Sequence, residues 1–433
     1  MSQIHSERKF GMSNEIRTVD ICRGVKLCMC KAENFKTANA SINIAMPLSD
    51  GKNAARAVLI NLLGKTNSDF PTVREMGMRL GMLYGAGIGA SVIKNGESQK
   101  IQLSLECIDD KFALTDESIV LSALELLLDM LFKPNAENGA FPQENVEREK
   151  RLLIEHIHSL SDDKIYYAAN RMIEEMCRDE DFSISKFGTV EEISSLTGKD
   201  VFDAFTDIML HAPMQINIVG DIDECKAEKL VKDKFSRIER EKTAELHTEF
   251  LSQAYDEKTV RETQDLKQCK LVIGMRAGMT YDRDNYAAIK VMNDIFGAGV
   301  YSKLFLNVRE KQSLCYYCSS RFDAGKGLII IQSGVEKENI EKAINSIKHE
   351  FEDMRNGDID DETIRASKLS LCDGLTSVYD TPADIENWYA SQQTASSVIS
   401  PSDFMKQINA VTKEEIMTAA AFASFDTIFV LEN

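Results

Sequence analysis

The chain of 433 residues contains the same succession of secondary-structure elements twice, and this repetition limits the folds open to it. In each half, the hydrophobic patterns predict strands, helices, a pair of strands joined by a turn, long amphipathic helices and a closing strand. The phrase beginning Leu196-Thr-Gly-Lys-Asp-Val-Phe is similar to the phrase beginning Val411-Thr-Lys-Glu-Glu-Ile-Met, and a β-branched strand follows each. A repeat unit of about 200 residues indicates duplicated domains rather than a solenoid of short repeats.

Local patterns within each half predict sheets with helices packed against them. In the first half, strands are predicted over residues 87–94 and 99–107 with an Asn-Gly turn between them, followed by a long amphipathic helix over 143–178. In the second half, a corresponding pair of strands is predicted over 314–322 and 327–334. Strands followed by helices, with hairpin turns between neighbouring strands, predict an α+β fold. We expect two homologous domains, each a mostly antiparallel sheet with helices packed on one side.

A charged stretch separates the two halves. It begins with Arg240-Glu-Lys-Thr-Ala-Glu-Leu-His247 and continues to Asp265, and it is rich in Lys and Glu with little hydrophobic periodicity. Such a composition is typical of an exposed linker. We therefore divide the chain into an N-terminal domain of residues 1–240, a linker of residues 241–265 and a C-terminal domain of residues 266–433.

The net charge and the hydropathy of the chain indicate which partners and which compartment to expect. The formal net charge of −18 argues against a nucleic-acid partner, because phosphate binding needs a basic surface. No stretch approaches the about 20 consecutive apolar residues of a membrane span. Residues 1–10 are polar and mixed in charge, without the apolar region of a signal peptide. These features predict a cytoplasmic protein with no membrane span.

The ten cysteines fit that compartment. In a large chain without a signal peptide, they are expected to be reduced and mostly buried thiols. Cys315-Tyr-Tyr-Cys318 has the spacing of a redox motif, but it opens a predicted strand. Thioredoxin-type activation of a thiol relies on a helix amino terminus, so we interpret this pair as structural.

A long motif in the second half identifies a related family. Residues 302–316 read Ser-Lys-Leu-Phe-Leu-Asn-Val-Arg-Glu-Lys-Gln-Ser-Leu-Cys-Tyr, and the glycine-containing turn Phe296-Gly-Ala-Gly299 precedes them. This segment resembles a signature of the pitrilysin/insulinase peptidases, which include the mitochondrial processing peptidase. The duplicated layout extends the resemblance over nearly the whole chain.

The catalytic motif of that family is missing. Its active members bind zinc through an inverted His-x-x-Glu-His motif and a distant Glu. Here the corresponding helix, over residues 53–64, contains no His and no carboxylate, and no two of the six His in the chain are four residues apart. The third-ligand position falls near Glu149, which we expect to be a solvated charge on its helix. The sequence therefore predicts no metal, no cofactor and no catalytic activity for the chain on its own.

The resemblance implies that two substrate-binding residues survive. In active members, an Arg and a Tyr of the second half approach the reacting peptide, and the matched positions here are Arg309 and Tyr316. The Arg can hydrogen-bond a carbonyl, and the Tyr can stabilise a developing oxyanion. Tyr317 is adjacent, and neighbouring strand residues face opposite sides, so the sequence leaves open which of the two tyrosines faces the substrate.

The resemblance also implies a partner. In multi-subunit relatives, one chain carries the zinc and a zinc-free chain completes the chamber around the peptide. We expect this chain to be such a non-catalytic subunit, paired with a zinc-bearing homologue and helping to bind a peptide substrate. A sheet edge of such a scaffold can bind an extended peptide through main-chain hydrogen bonds, without particular side chains.

Three alternatives stay open at this point. The first is a homodimeric peptide-binding or scaffold protein without a peptidase partner. The second is an enzyme with an unconventional metal site built from Glu149, Glu155, His156 and His158. In the third, Arg309 is an ordinary helix-end salt-bridge residue and Tyr316 is a half-buried strand aromatic.

Overall fold

The computed structural model describes residues 16–114, 116–254, 256–280, 285–395 and 397–433. The polar segment of residues 1–10 lies outside these ranges. Within the described part of the chain, no helix is long and apolar enough to cross a membrane.

The first half consists of a sheet and the helices that cover it. Its strands are β1 (Ile16–Cys22), β2 (Val25–Lys31), β3 (Thr37–Pro47), β4 (Gly87–Asn95), β5 (Ser98–Ile108) and β6 (Met214–Gly220). Its helices are α1 (Asn53–Leu63), α2 (Val73–Met82), α3 (Ile119–Phe132), α4 (Gln143–Asp162), α5 (Lys164–Met176), α6 (Val190–Ser195), α7 (Gly198–His211) and α8 (Glu224–Phe235).

The second half repeats this arrangement. Its strands are β7 (Lys258–Thr263), β8 (Cys269–Arg276), β9 (Cys315–Asp323), β10 (Leu328–Val335) and β11 (Ser424–Glu432). Its helices are α9 (Tyr286–Asn293), α10 (Ile340–Arg355), α11 (Asp361–Ser377), α12 (Pro382–Ser391), α13 (Pro401–Ala410) and α14 (Lys413–Phe422). Two π-helical segments, Asp294–Ala298 and Leu304–Lys311, lie between α9 and β9.

The strand orders show the duplication directly. The first sheet has the order β1-β2-β6-β3-β5-β4, and the second has the order β7-β11-β8-β10-β9. The second order matches the first once β1 is left out. Each sheet contains one parallel pair, β2 with β6 and β7 with β11, and its other neighbours are antiparallel. The predicted fold class, α+β with two homologous and mostly antiparallel sheets, is confirmed.

Strand β7 lies inside the segment predicted as a linker, residues 241–265. It forms the edge of the second sheet and reads Lys-Thr-Val-Arg-Glu-Thr, with Val260 as its only aliphatic residue. An edge strand with exposed side chains carries little hydrophobic periodicity, and this explains why the sequence did not reveal it. The domain limits at residues 240 and 266 stay a prediction.

One helix of each half packs against the sheet of the other half. Helix α5 of the first half packs on the second sheet, where Met172 and Met176 join a cluster with Val272 and Phe429. Helix α12 of the second half packs on the first sheet, where Tyr389 and its neighbours meet Cys30 and Val219. The opposite face of each sheet carries the helices of its own half. The two halves therefore share their cores.

Buried ion pairs also connect the two halves. Lys326, in the turn between β9 and β10, is fully buried and contacts Glu97 at 2.5 Å and Glu180 at 2.6 Å. Glu97 lies in the equivalent turn between β4 and β5, so corresponding hairpins of the two halves meet at this point. Arg276 of β8 contacts Glu180 at 2.7 Å and Asp426 at 3.0 Å. Positive and negative groups thus compensate each other in an interior where an unpaired charge is costly.

Candidate functional site

The position that corresponds to a zinc ligand is buried and paired with a lysine. Helices α1 and α4 pack side by side, and the Glu149 side chain of α4 is 1% exposed. Lys65, just beyond the end of α1, places its Nζ 2.6 Å from Glu149 Oε2, and Arg148 Nε lies 3.1 Å from Glu149 Oε1. The expectation that Glu149 is a solvated charge was therefore wrong, because the Lys65 side chain and the helix packing cover it.

Positively charged side chains compensate the Glu149 carboxylate at the position where a zinc peptidase of this type has its metal ion. A buried carboxylate needs a positive partner or hydrogen bonds. In a zinc peptidase of this type the metal meets that need, and here an ammonium and a guanidinium meet it. Both oxygens of Glu149 are engaged by Lys65 and Arg148. The donor set therefore does not fit a tetrahedral zinc site, which needs three protein ligands.

The unconventional metal site finds no support in the geometry. Among the described ranges, no group of three or more His, Cys, Asp and Glu side chains is placed to hold a metal ion. Glu155 points to solvent, with 65% of its side chain exposed. His156 packs edge-on against the Phe187 ring with 5.6 Å between centroids, and His158 is exposed.

A cavity of about 390 Å³ adjoins the Lys65–Glu149 pair. Asn61, Lys65 and Glu149 line one side of it, and residues of strand β4, including Ser91, line another. Among the residues that the structure describes, strand β4 forms one edge of the first sheet and pairs with β5 alone. Its other edge, beside the cavity, has no strand partner within those residues. Such an edge can accept an extended peptide as an additional strand.

Arg309 lies in the second π-helical segment, Leu304–Lys311. Its guanidinium stacks on the Phe305 ring at 4.6 Å from the centroid, and its Nε lies 3.5 Å from a Glu310 oxygen. The side chain is 36% exposed, so part of the guanidinium fork is accessible. The Glu310 pair is the helix-end salt bridge that one alternative expected. At 3.5 Å it is loose, and it leaves donors free for a carbonyl.

Tyr316 and Tyr317 differ sharply in accessibility. Tyr316 is 76% exposed at the start of β9. Tyr317 is half-buried beneath the Lys270 ammonium, and this burial raises the pKa of Tyr317 to about 12. Tyr316 is therefore the tyrosine that a bound molecule can reach. Arg309 and Tyr316 lie on adjoining elements, and the described contacts of Arg309 do not include Tyr316.

Lys65 is the site residue that sequence reasoning missed. It lies two residues beyond the end of α1 and lines the same cavity as Asn61 of that helix. A cation directly after this helix, in a chain with a carboxylate at the third-ligand position, is a signal that the sequence contains. Without the packing of α1 on α4, however, nothing links two residues that are 84 positions apart.

Comparisons with known proteins agree with this geometry. Residues 195–371 match the family described as Peptidase M16 inactive domain. The chain is 30% identical over 410 residues to the probable inactive metalloprotease YmfF of Bacillus subtilis, and the alignment covers 95% of this chain and 96% of that protein.

Solved structures show the same fold over nearly the full length. A conserved protein from Enterococcus faecalis superposes with a TM-score of 0.89 at 28% identity, over 97% of this chain and 99% of that one. A peptidase M16 inactive domain from Pseudomonas fluorescens superposes with a TM-score of 0.80 at 18% identity, over 96% and 98% of the two chains. This chain therefore belongs to the M16 family of peptidases, the pitrilysin/insulinase type, as an inactive homologue.

Proposed function

We propose that this chain is a non-catalytic subunit that pairs with a zinc-bearing homologue and helps it to bind peptides. The observation that carries the proposal is the pairing of Glu149 with Lys65 beside an open cavity and a free sheet edge. The sequence contains no His-x-x-Glu-His motif, but the structure has a concave space and a strand edge beside it. Peptide binding needs only these two features, whereas hydrolysis also needs the zinc.

Strand addition is the binding mode that the site supports. Strand β4 runs over nine residues, and no strand of the described part of the chain pairs with it along one edge. A peptide added there gains main-chain hydrogen bonds, and its alternate side chains point into and away from the cavity. Because main-chain bonds supply the affinity, we expect broad selectivity for extended peptides.

The second half contributes Arg309 and Tyr316 to the proposal. Both side chains are accessible, and the described part of the chain gives neither of them a buried structural partner. We propose that they act on a peptide held in the chamber that this chain forms with its partner. Arg309 would hydrogen-bond a peptide carbonyl, and Tyr316 would stabilise negative charge that develops in the partner's reaction.

The compartment is also part of the proposal. All ten cysteines are free thiols, although several are buried and close to other apolar groups. Reduced cysteines are usual in the cytoplasm and rare in secreted proteins. We therefore propose a cytoplasmic subunit.

The binding mode can be tested with the purified full-length chain. Fluorescence anisotropy would measure its affinity for labelled, unstructured peptides. We expect binding without added metal, and we expect it to be lost when the peptide is N-methylated at alternate residues in one of the two registers. If both N-methylated registers bind as tightly as the parent peptide, the strand-addition mode is excluded.

The role of Arg309 can be tested in the mixed complex. We expect Arg309→Ala to lower peptide turnover by the zinc-bearing partner at least tenfold, while association and folding stay unchanged. Lys311→Ala is the matched control, because Lys311 is an exposed cation of the same segment. Equal turnover by wild type and Arg309→Ala would remove Arg309 from the proposal.

A further inference from the structure

Two cysteines of strand β9 are brought together in a way that a regular strand does not allow. Residues i and i+3 of a regular strand face opposite sides of the sheet and lie about 10 Å apart. A disulfide needs Cα atoms within about 7 Å. Cys315 and Cys318 have this i, i+3 spacing, so a regular strand would keep their thiols apart.

The strand is irregular at the residue between them. Tyr317 pairs with Gly334 and Cys315 pairs with Val335, so Tyr316 has no partner in the register and forms a bulge. A bulge places one extra residue in a strand, so the residues three apart on its two sides point to the same face of the sheet. It also brings those two residues closer together than in a regular strand. As a result, Cys315 lies opposite Val335 and Cys318 lies opposite Ser333, so the two cysteines share one face of the sheet as next neighbours on that face.

The two thiols differ in the way that an attacking and a resolving cysteine differ. Cys315 is half-buried, and Cys318 is 4% exposed. The hydrogen bond from Cys318 lowers the pKa of Cys315 to about 7, against the effect of burial, and Ser333 and the Arg309 charge act in the same direction. The bond to Cys315 and burial raise the pKa of Cys318 well above its ordinary value. Cys315 is thus the thiol that can act as a thiolate at neutral pH.

We propose that Cys315 and Cys318 form a redox-active dithiol that low-molecular-weight disulfides oxidise to an intramolecular disulfide. The Cys315 thiolate attacks one sulfur of the small disulfide, forms a mixed disulfide and releases one thiolate. The Cys318 thiol then loses its proton to solvent and attacks the Cys315 sulfur, which releases the second small thiolate. Two protein thiols are oxidised, and one small disulfide is reduced to two thiols.

The disulfide would alter the surface that carries Tyr316. It closes a covalent ring that contains Tyr316 and Tyr317, so it fixes the bulge and the direction of the exposed Tyr316 side chain. Reduction releases that constraint. This site is separate from Lys65 and Glu149, and its chemistry does not depend on the function proposed above.

The test uses the reduced full-length chain and oxidised glutathione near pH 7. Peptide mass mapping without reductant should show a peptide that has lost two hydrogen atoms, with Cys315 linked to Cys318. The Cys318→Ser variant should instead retain one glutathione on Cys315, because the resolving thiol is missing. Cys315→Ser should show no reaction at the buried Cys318.

Exposed Cys225 serves as the internal control, since it can form only a mixed disulfide with glutathione. The proposal is overturned if wild-type protein acquires glutathione at Cys225 and no Cys315–Cys318 link. It is also overturned if Cys318→Ser keeps Cys315 as a free thiol while Cys225 reacts. Circular dichroism of both serine variants excludes misfolding as the cause of either result.

Discussion

The Lys65–Glu149 pair should behave as a structural ion pair, and removal of the Lys65 ammonium should lower the stability more than removal of the Glu149 charge. Lys65→Met keeps most of the side-chain length but removes the ammonium from a carboxylate that is 1% exposed. Two charges 4 Å apart interact by about 4 kcal/mol at the effective dielectric typical of such sites. Lys65 is 35% exposed and Arg148 remains in place. We therefore reduce the expected loss of unfolding free energy to about 2 kcal/mol.

A double-mutant cycle isolates the pair. Glu149→Gln keeps the shape of the side chain, and the freed Lys65 can turn to solvent, so we expect a loss of only about 1 kcal/mol. The double variant should be about as stable as Glu149→Gln, which corresponds to a coupling energy of about 2 kcal/mol. Urea denaturation followed by far-UV circular dichroism would measure all four proteins. The exposed pair Lys199–Asp203 is the control, for which we expect no measurable coupling.

One result would refute the reasoning about this site. If Lys65→Met is as stable as wild type while Glu149→Gln is strongly destabilised, the ammonium is not the counterion of the carboxylate. A different cation would then have to occupy the site. Zinc analysis of the purified Lys65→Met protein would show whether a metal is that cation.

Two further predictions concern the region where the halves meet. Glu180→Gln should lower the free energy of unfolding, measured by urea denaturation, by about 3 kcal/mol, because buried Arg276 and Lys326 lose a negative partner. The control Glu191→Gln, at an exposed position, should cause no measurable change. Burial opposes ionisation, but hydrogen bonds from Arg276 and Lys326 outweigh it and lower the pKa of Glu180. The stabilisation that the Glu180 carboxylate provides should therefore be complete above the ordinary Glu pKa of 4.5. It should be lost as the pH falls below that value. Met172→Ala should cost about 3 kcal/mol, because Met172 of α5 is fully buried against the second sheet.

Each of these predictions has a contradicting outcome. Equal acid stability of wild type and Glu180→Gln would show that the carboxylate is not held in its charged form by the network. A Met172→Ala protein with wild-type stability would show that α5 does not hold the two halves together.

Much of the fold could be predicted because its signals are local. The Asn-Gly turn and the alternation of residues 87–94 and 99–107 predicted the hairpin that the structure shows as β4 and β5. The helix predicted over 143–178 is in fact two helices. Asp163 ends α4 and caps α5 by accepting hydrogen bonds from the main chain of residues 165 and 166. A capping residue inside a periodic segment is a weak signal beside the period itself.

Long-range arrangements could not be predicted. Nothing local distinguishes α5, which crosses to the other sheet, from a helix that stays on its own, because both need only one apolar face. For the site, the missing zinc motif could be inferred because no two of the six His are four residues apart and the helix over residues 53–64 contains none. The burial of Glu149 and its pairing with Lys65 depend on the packing of α1 against α4, and the sequence does not specify that packing residue by residue.

The most direct test of the central claim is native mass spectrometry of this chain captured from its own cell, with metal analysis of the same sample. The account predicts a 1:1 complex with a homologue that carries His-x-x-Glu-His, and one zinc per complex. Recovery of the chain alone or as a homodimer without such a partner would contradict the account. It would favour the independent peptide-binding or scaffold protein instead.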